Sequence, residues 1–443
     1  MVASGGVDIS VASIGLDCQL RFITYLVTCN PRAQPVQFYL GQSNLDRCFC
    51  IPEHMAGVSM NDRLILRNVW VSSSVLALSL FGDALLYVVL PVHAAAFGVS
   101  MLMVGFLLAV NRIIRIFAYG VIVQIAERIG VRTLCIIGAM TATLSTAGYA
   151  LFDGVVMLIA ARMLWGVSFA ALLLVTLTYA AVNPARTGTR IGLSRSVEQV
   201  GPLLAMTVGA WAAAQVGPRD IFLYLGVVTA LSIPLALILD VTAQPPTVKK
   251  AAPRDGVLPR PDSLDMLIFW MGAGIDGVFT VSISLMWAKT MSLDMAILFG
   301  GSILAARRLS EILVAPCAGM IADRVGIRIP LLLCIITTIF GFALIGGDML
   351  LAGCTLLVLS RGALGTFFPA AVVRIYPDAK LKALARNQTW RDVGAAVGPL
   401  ATGAGLVVVS PEVMHLVVAG AFTVGLFGFL MSPGWKAVAQ PAS

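Results

Sequence analysis

Charged residues are scarce in this chain, and their scarcity limits the kind of protein it can be. Asp, Glu, Lys and Arg make up 12% of its 443 residues, about half the share found in soluble domains. Hydrophobic residues make up 59%, and the mean hydropathy is +0.93. A soluble fold cannot bury this much apolar surface, so we expect the chain to lie in a lipid bilayer.

The length of the apolar runs distinguishes between the two structures that can cross a bilayer, helices and closed β-barrels. The runs are about 20 residues long, which matches a helix crossing ~30 Å of hydrocarbon. Barrel strands are about half as long and alternate in polarity. The sequence therefore predicts an all-α membrane protein.

Several kinds of functional motif are also missing. The chain has only three histidines, and it shows no nucleotide-binding loop, hydrolytic triad or metal-ligand cluster. Its eight cysteines include Cys48 and Cys50, whose one-residue separation differs from the usual spacing of zinc ligands. We therefore predict a protein that is not an enzyme and has no cofactor and no metal site.

A loop motif occurs twice, with an offset of 196 residues. An acid, an arginine, a glycine and a second arginine recur at identical spacing, as Glu127, Arg128, Gly130 and Arg132 and again as Asp323, Arg324, Gly326 and Arg328. The second copy opens with Gly319, where the first has Val123. This repeat predicts two related halves, an arrangement common among secondary transporters.

The apolar runs predict twelve transmembrane helices in two six-helix halves. The expected spans are 69–93, 101–124, 132–151, 154–180, 191–214, 220–240, 264–288, 295–318, 329–348, 351–373, 389–409 and 412–432. We expect four segments: a poorly patterned extension (1–59), a first half (60–240), a proline-rich basic linker (241–263) and a second half (264–443). Because the extension lacks any pattern, we expect translation to begin at or near Met60.

The basic residues are distributed very unevenly between the two sides of these spans. Nineteen Lys and Arg residues lie on one side, whereas only Arg219 and Lys289 lie on the other. Positive residues remain in the cytoplasm, so both termini and the linker are predicted to be cytoplasmic. The net charge of +8 then reflects topology, and no nucleic-acid partner is expected.

Twelve spans, the six-plus-six division and the repeated loop resemble the Major Facilitator Superfamily over about residues 65–435. Two further repeated features support the resemblance: Arg162 with Gly166 is matched by Arg361 with Gly365, and Gly201-Pro202 by Gly398-Pro399. The resemblance implies that Glu127 and Asp323 face helix N-termini of the opposite half, in spans 11 and 5, and gate the cytoplasmic side. A static structural turn is the alternative. The Gly-Pro pairs are expected to bend their helices.

Four charged residues inside the spans are the first candidates for proton coupling or substrate recognition. Asp83 and Arg162 lie in spans 1 and 4, and Asp276 and Arg361 lie in spans 7 and 10. Intramembrane charges are costly and are commonly functional, and the resemblance implies that these four spans line a central cavity. The alternative is that each pair is a static brace between two helices.

Span 2 contributes Arg112 and Arg115, and span 8 contributes Arg308 and Glu311. Arg308 and Glu311 share a helix face, so a local pair is expected. Arg115 has no local acid, which leaves two alternatives: it attracts an anionic or metal-chelate substrate, or it pairs with an acid on a neighbouring helix. For Glu198 a local pair with Arg195 is expected.

These features predict a secondary active transporter that moves a small solute by alternating access, coupled to protons and functional as a monomer. Gly201-Pro202 slightly favours export, and an exporter of organic solutes or drugs is an alternative. A receptor or scaffold that no longer transports is another. The segment from Arg67 to Arg112 resembles the magnetosome MamH-type branch of the superfamily, which implies an iron species as substrate and a bacterial inner membrane or magnetosome membrane as location.

Overall fold

The computed structural model describes residues 60–152, 154–183, 186–240 and 258–438. The expected N-terminal extension and most of the expected linker lie outside these residues. The contacts between residues divide the chain into two units, Met1–Arg63 and Leu64–Ser443. The described part of the first unit is the first turn of a helix that begins at Met60. All the packing described below lies within the second unit, Leu64–Ser443.

The described residues form twelve long helices, two short ones and no strand, which confirms the predicted fold class. The first half contains α1 (Met60–Val92), α2 (Met101–Ile129), α3 (Val131–Leu151), α4 (Val155–Ala180), α5 (Thr187–Leu204, then Ala205–Gly209 and Ala210–Val216) and α6 (Ile221–Ala230 and Ser232–Leu237). The second half contains α7 (Ser263–Ala273, then Gly274–Phe279 and Thr280–Trp287), α8 (Leu293–Arg324), α9 (Arg328–Gly346), α10 (Leu350–Ile375), α11 (Lys380–Gly405) and α12 (Pro411–Leu430). Two short helices, Ala94–Phe97 and α13 (Pro433–Val438), follow α1 and α12.

Eight of these helices are long and apolar enough by composition to cross a membrane: α1 to α4, α7, α9, α10 and α12. The other four differ for physical reasons. Helix α5 has a polar first segment that contains Arg190, Arg195 and Glu198, and α6 consists of two short pieces. Helices α8 and α11 contain several charged residues, so these two helices must pack their polar faces against protein.

Helix α11 begins nine residues before the predicted start at 389, and α5 begins four residues before the predicted 191. The predicted starts were late because both first turns are polar, which lowers the hydropathy of these segments. Arg195 and Arg391, which already fall inside the predicted spans 191–214 and 389–409, lie about two to three turns inside α5 and α11 rather than at their ends.

The repeated loop makes the same tight turn in both halves. Gly130 joins α2 to α3 with φ of 84°, and Gly326 precedes α9 with φ of 89°. L-residues with a side chain rarely adopt this region, so the motif requires glycine at this position. We call the end of the bundle that holds these two turns the motif side.

The Gly-Pro pairs also have equivalent packing in the two halves. A Cβ added to Gly201 in α5 would lie 2.0 Å from the carbonyl oxygen of Ala77 in α1. At Gly398 in α11, it would lie 2.5 Å from the carbonyl oxygen of Ala273 in α7. Only glycine permits these close helix contacts. In the first half Pro202 also precedes the π-helical turn Ala205–Gly209, whereas α11 continues as an α-helix past Pro399.

Candidate functional site

The first-half cluster joins α1, α2 and α4 around Asp83 and Arg162. The guanidinium of Arg162 forms an ion pair with the Asp83 carboxylate, and its Nε donates to the carbonyl oxygen of Leu107 at 2.9 Å. Asn111 Nδ2 donates to Asp83 at 3.4 Å. The Arg162 side chain is 1% exposed, but that of Asp83 is 15% exposed. The structure thus brings the predicted pair together and leaves its acid partly open.

The second-half cluster differs from the first because one acid contacts three arginines. Asp276 lies 3.0 Å from Arg307 Nη1, 3.5 Å from Arg361 Nε and 3.6 Å from Arg391 Nη2. Asp276 is located on the π-helical turn Gly274–Phe279 of α7, a feature frequent at functional sites. Asp276 and Arg361 are therefore not a simple copy of Asp83 and Arg162.

Arg115 forms an ion pair with an acid on a neighbouring helix, the second of the two alternatives. Its Nε lies 3.2 Å from Oδ2 of Asp392 in α11, and Tyr119 donates its hydroxyl to the same oxygen at 3.0 Å. The Phe169 ring lies 4.5 Å from the Arg115 guanidinium carbon. The structure therefore shows the pairing alternative, and a role of Arg115 in substrate binding stays a prediction.

The expected local pair of Arg308 with Glu311 is wrong. Arg308 Nη1 donates to Gln199 Oε1 at 2.9 Å, across the boundary between the halves. Glu311 instead lies 3.9 Å from Arg361 Nη2. Helix spacing placed the two residues on one face, but tertiary packing supplied a closer partner for each. The expected local pair of Arg195 with Glu198 does form, at 3.0 Å.

The repeat-related arginines Arg112 and Arg308 both reach into the opposite half. Arg112 Nη1 in α2 donates to the carbonyl oxygen of Ala395 in α11 at 2.7 Å. Arg308 in α8 reaches Gln199 in α5. The halves are therefore joined along two related helix pairs, α2 with α11 and α5 with α8.

A small cavity, with room for about one water molecule, lies between α5, α7, α10 and α11. Its polar wall consists of Arg195, Arg361, Gln388 and Arg391. Its apolar wall consists of Ile268, Met271, Leu364, Gly365 and Pro369. The cavity borders the second-half cluster, because Arg361 and Arg391 belong to both.

On the motif side, the second copy of the loop forms a contact between the two halves, which we call the latch. The Asp323 carboxylate accepts hydrogen bonds from the backbone N–H groups of Gly188 at 2.9 Å and Thr189 at 2.7 Å. These groups belong to the first turn of α5, where unpaired N–H groups and the helix dipole favour an anion. A Cβ on Gly319 would lie 2.2 Å from the Gly188 carbonyl oxygen, so glycine permits this contact.

Comparison with known proteins identifies the family. Residues 73–306, more than half of the chain, match the sequence model of the Major Facilitator Superfamily. The chain belongs to the Major Facilitator Superfamily. It is therefore a multi-pass integral membrane protein and a secondary transporter of small molecules. No curated protein matches the sequence.

Solved structures share the fold of this superfamily member at low sequence identity. The human organic anion transporter MFSD10 (TETRAN) is 15% identical, with a TM-score of 0.62, and the match covers 82% of this chain and 98% of that one. The proton:xylose symporter XylE, bound to 6-bromo-6-deoxy-D-glucose, is also 15% identical, with a TM-score of 0.65 and coverage of 85% and 96%.

The first copy of the superfamily loop does not form the equivalent latch, contrary to expectation. Glu127 is exposed and has no hydrogen bond or ion pair among the described residues. Val123, buried at the position equivalent to Gly319, has a side chain that prevents the close helix contact needed there. Lys380 Nζ instead donates to the Ala181 carbonyl oxygen at 3.0 Å and joins α11 to the end of α4.

The remaining arginines of the loop have separate structural positions in this superfamily member. Arg132 donates to the Leu237 carbonyl oxygen at 2.7 Å, and Arg328 stacks 4.4 Å from the centre of the Trp435 ring. Arg128 and Arg324 are exposed. None of these four contacts the latch formed by Asp323.

Four residues of the site were missed by sequence reasoning: Arg307, Gln388, Arg391 and Asp392. Arg307 adjoins Arg308, which the repeat offset had selected. The other three lie before or just inside the predicted start of span 11. The adjacent charges Arg391 and Asp392 lie just inside the predicted span, and they were a signal that the helix begins earlier, in the polar segment before residue 389.

Proposed function

We propose that this superfamily member is a proton-coupled transporter of a small solute, with Asp83 as the proton-binding group. The proposal rests on the difference in side-chain exposure between Asp83 and Arg162. Arg162 is fully buried and anchored to the α2 backbone, whereas Asp83 keeps 15% of its side chain exposed. A proton can therefore reach the acid while its partner stays fixed.

Proton binding at Asp83 has a direct mechanical consequence. A neutral carboxyl group no longer forms an ion pair with Arg162, so the contact between α1 and α4 weakens. Arg162 is then a buried cation without an ionised partner, so the binding of another anion beside it becomes favourable. Competition between the proton and a solute for these two residues couples their movements, and the joined helix pairs α2–α11 and α5–α8 transmit the change to both halves.

Asp276 is a poorer candidate for proton uptake. Three guanidinium groups compete with a proton for its carboxylate oxygens. We infer that Asp276 organises the arginines of the second half and holds α7, α8, α10 and α11 together. The two halves then have different functions, one for proton binding and one for solute binding.

For topology we propose that the motif side and both termini face the cytoplasm, and that the functional unit is a monomer in a bacterial inner membrane or a magnetosome membrane. The excess of basic residues on the motif side supports this orientation. Among substrates, an iron species is one candidate, and the arginine-rich interior favours an anionic chelate over a bare cation. An organic solute moved outward is the second candidate.

Proton flux in liposomes tests the proposal. The protein is reconstituted with a trapped pH dye, and ferrous iron, ferric citrate, organic anions, amino acids and lipophilic cations are added in turn. One class is expected to evoke proton flux that Asp83→Asn abolishes and Asp220→Asn retains, because Asp220 lies exposed outside the clusters. If no class evokes flux through folded protein, the receptor or scaffold alternative is favoured.

A further inference from the structure

The interior of this protein contains more positive than negative charge. This excess occurs among the charged side chains of the two clusters, the cavity and the ion pairs that join them. Eight arginines (Arg112, Arg115, Arg162, Arg195, Arg307, Arg308, Arg361 and Arg391) oppose five acids (Asp83, Glu198, Asp276, Glu311 and Asp392). The excess of three falls to two when the neighbouring group of Asp262, Asp265 and Arg386 is included. Uncompensated charge is costly in a low-dielectric interior.

One charge of this excess lies at the cavity, where four arginines face three acids: Arg195, Arg307, Arg361 and Arg391 against Glu198, Asp276 and Glu311. The other two belong to Arg112 and Arg308, which donate to neutral groups of the opposite half. In the first half, Asp83 is paired with Arg162, and Asp392 of α11 is paired with Arg115. At the cavity, in contrast, Arg361 and Arg391 share Asp276 with Arg307. The Nε groups of Arg195 and Arg361 form no hydrogen bond among the described residues, although Arg361 Nε lies 3.5 Å from the Asp276 carboxylate.

Gln388 supplies a second and independent observation. Its side chain lines the cavity and is 1% exposed, yet neither its amide nitrogen nor its amide oxygen has a hydrogen-bond partner in the described part of the chain. Buried amides are nearly always hydrogen-bonded. An unsatisfied amide beside three arginines provides additional N–H donors directed at the same space.

We propose that this cavity binds an oxyanion, a carboxylate or phosphate group of the transported solute. The guanidinium groups of Arg195 and Arg391 and the amide N–H of Gln388 would donate to its oxygens. Planar guanidinium groups suit oxyanions because they donate two parallel hydrogen bonds. The proposal rests on the proposed transport function and specifies the chemical class of the solute.

The position of the cavity connects anion binding to the movement of the halves. Arg195 belongs to the first half, whereas Arg361, Gln388 and Arg391 belong to the second. At 1.5 Å per residue, Arg195, Arg391 and Arg361 lie ~12, ~17 and ~21 Å along their helices from the motif side, which is near the centre of a ~30 Å bilayer core. A bound anion would therefore bridge the two halves close to the midplane.

A substitution that introduces a negative charge into the cavity tests the proposal even when the solute is unknown. Gln388→Glu supplies a resident carboxylate, and Gln388→Met is its uncharged counterpart of similar length. We expect Gln388→Glu to raise the thermal unfolding midpoint of the purified full chain by about 2–4 °C or more in anion-free buffer. Gln388→Met is expected to give no such rise.

Citrate and inorganic phosphate then serve as probes at matched ionic strength, with glucose as an uncharged control. At least one anion should raise the midpoint of the wild type, and the preferred anion distinguishes carboxylate from phosphate. Its apparent affinity should fall ~10-fold or more in Gln388→Met and Arg391→Gln, because each variant loses donors to a charged ligand. Lys289→Gln removes a positive charge at an exposed position and should leave the affinity unchanged.

Three results would overturn the inference: a Gln388→Glu variant no more stable than the wild type, equal anion responses in all variants, or no wild-type response to either anion. Binding is measured here without transport, so the two proposals can fail separately. Proton-coupled flux of a neutral or cationic solute, without anion binding, would overturn only the oxyanion site. Anion binding without any flux would overturn only the transport proposal.

Discussion

The carboxylate of Asp323 at the end of α8 caps the first turn of α5 in the opposite half by accepting the backbone N–H of Gly188 at 2.9 Å. The repeat-related acid Glu127 makes no such contact among the described residues. The latch on the motif side is therefore one-sided, although the loop that provides it occurs twice. The Val123 side chain explains the difference, since the equivalent Gly319 packs directly on Gly188.

Removal of the Asp323 carboxylate should increase local opening of the first turn of α5. In Asp323→Asn, one acceptor oxygen and the negative charge are removed, so amide hydrogen exchange at Gly188 and Thr189 should accelerate by ~10-fold or more. Mass spectrometry of peptides covering the first turn of α5 measures this. Glu127→Gln is the matched control and should leave exchange there unchanged; equal effects of both substitutions would contradict the one-sided latch.

The packing at Gly319 makes a second prediction. Gly319→Val copies the first-half sequence, and its Cβ would lie 2.2 Å from a backbone oxygen. We expect a loss of ~1–3 kcal/mol from overpacking, seen as a lower thermal midpoint and faster exchange at Gly188. Gly301→Val lies in the same helix with open space around its Cβ, and its midpoint should remain near that of the wild type.

The ion pair of Arg115 with Asp392 should behave as a buried pair between halves. Arg115→Met leaves a buried carboxylate whose one remaining hydrogen-bond partner among the described residues is Tyr119, and we expect a loss of about 3–5 kcal/mol in stability. Adding Asp392→Leu should recover much of that loss, because no uncompensated charge remains. A double-mutant cycle on unfolding midpoints measures the coupling; strictly additive losses would show that the two residues act independently.

The two intramembrane acids, Asp276 and Asp83, should contribute differently to the stability of the fold. Asp276→Asn leaves three arginines without their shared carboxylate, so we expect a strong loss of folded protein. Asp83→Asn replaces the acid partner of a single arginine, Arg162, with a neutral amide. We therefore expect a smaller loss of folded protein. Thermal midpoints and size-exclusion profiles of the two variants compare them directly. A more severe defect in Asp83→Asn would reverse the assignment of roles.

Most of the fold could be predicted from the sequence, because twelve apolar runs and a repeated loop are local patterns. Helix boundaries could be predicted less well where a helix begins with polar residues, as in α5 and α11, since hydropathy is then low inside the span. The family match over residues 73–306 agrees with the resemblance carried by the loop motif.

The candidate site could be predicted only in part, because its partners come from distant segments. Repeat spacing selected Asp83 and Arg162, which do meet. It could not show that Asp392 lies beside Arg115 or that Arg308 reaches Gln199, because those contacts depend on how the halves pack. Gln388 carries no charge or motif, and only its buried and unpartnered amide in the folded chain draws attention to it.

The measurement that tests proton coupling most directly compares two kinds of transport in Asp83→Asn. Proteoliposomes are loaded with a solute that evokes flux in the wild type, and uptake is recorded in exchange without a gradient and in accumulation driven by a pH gradient. A variant that still exchanges solute but no longer accumulates it, while Asp220→Asn does both, is the predicted result. Accumulation at the wild-type level in folded Asp83→Asn protein would contradict the assignment of Asp83 as the proton-binding group.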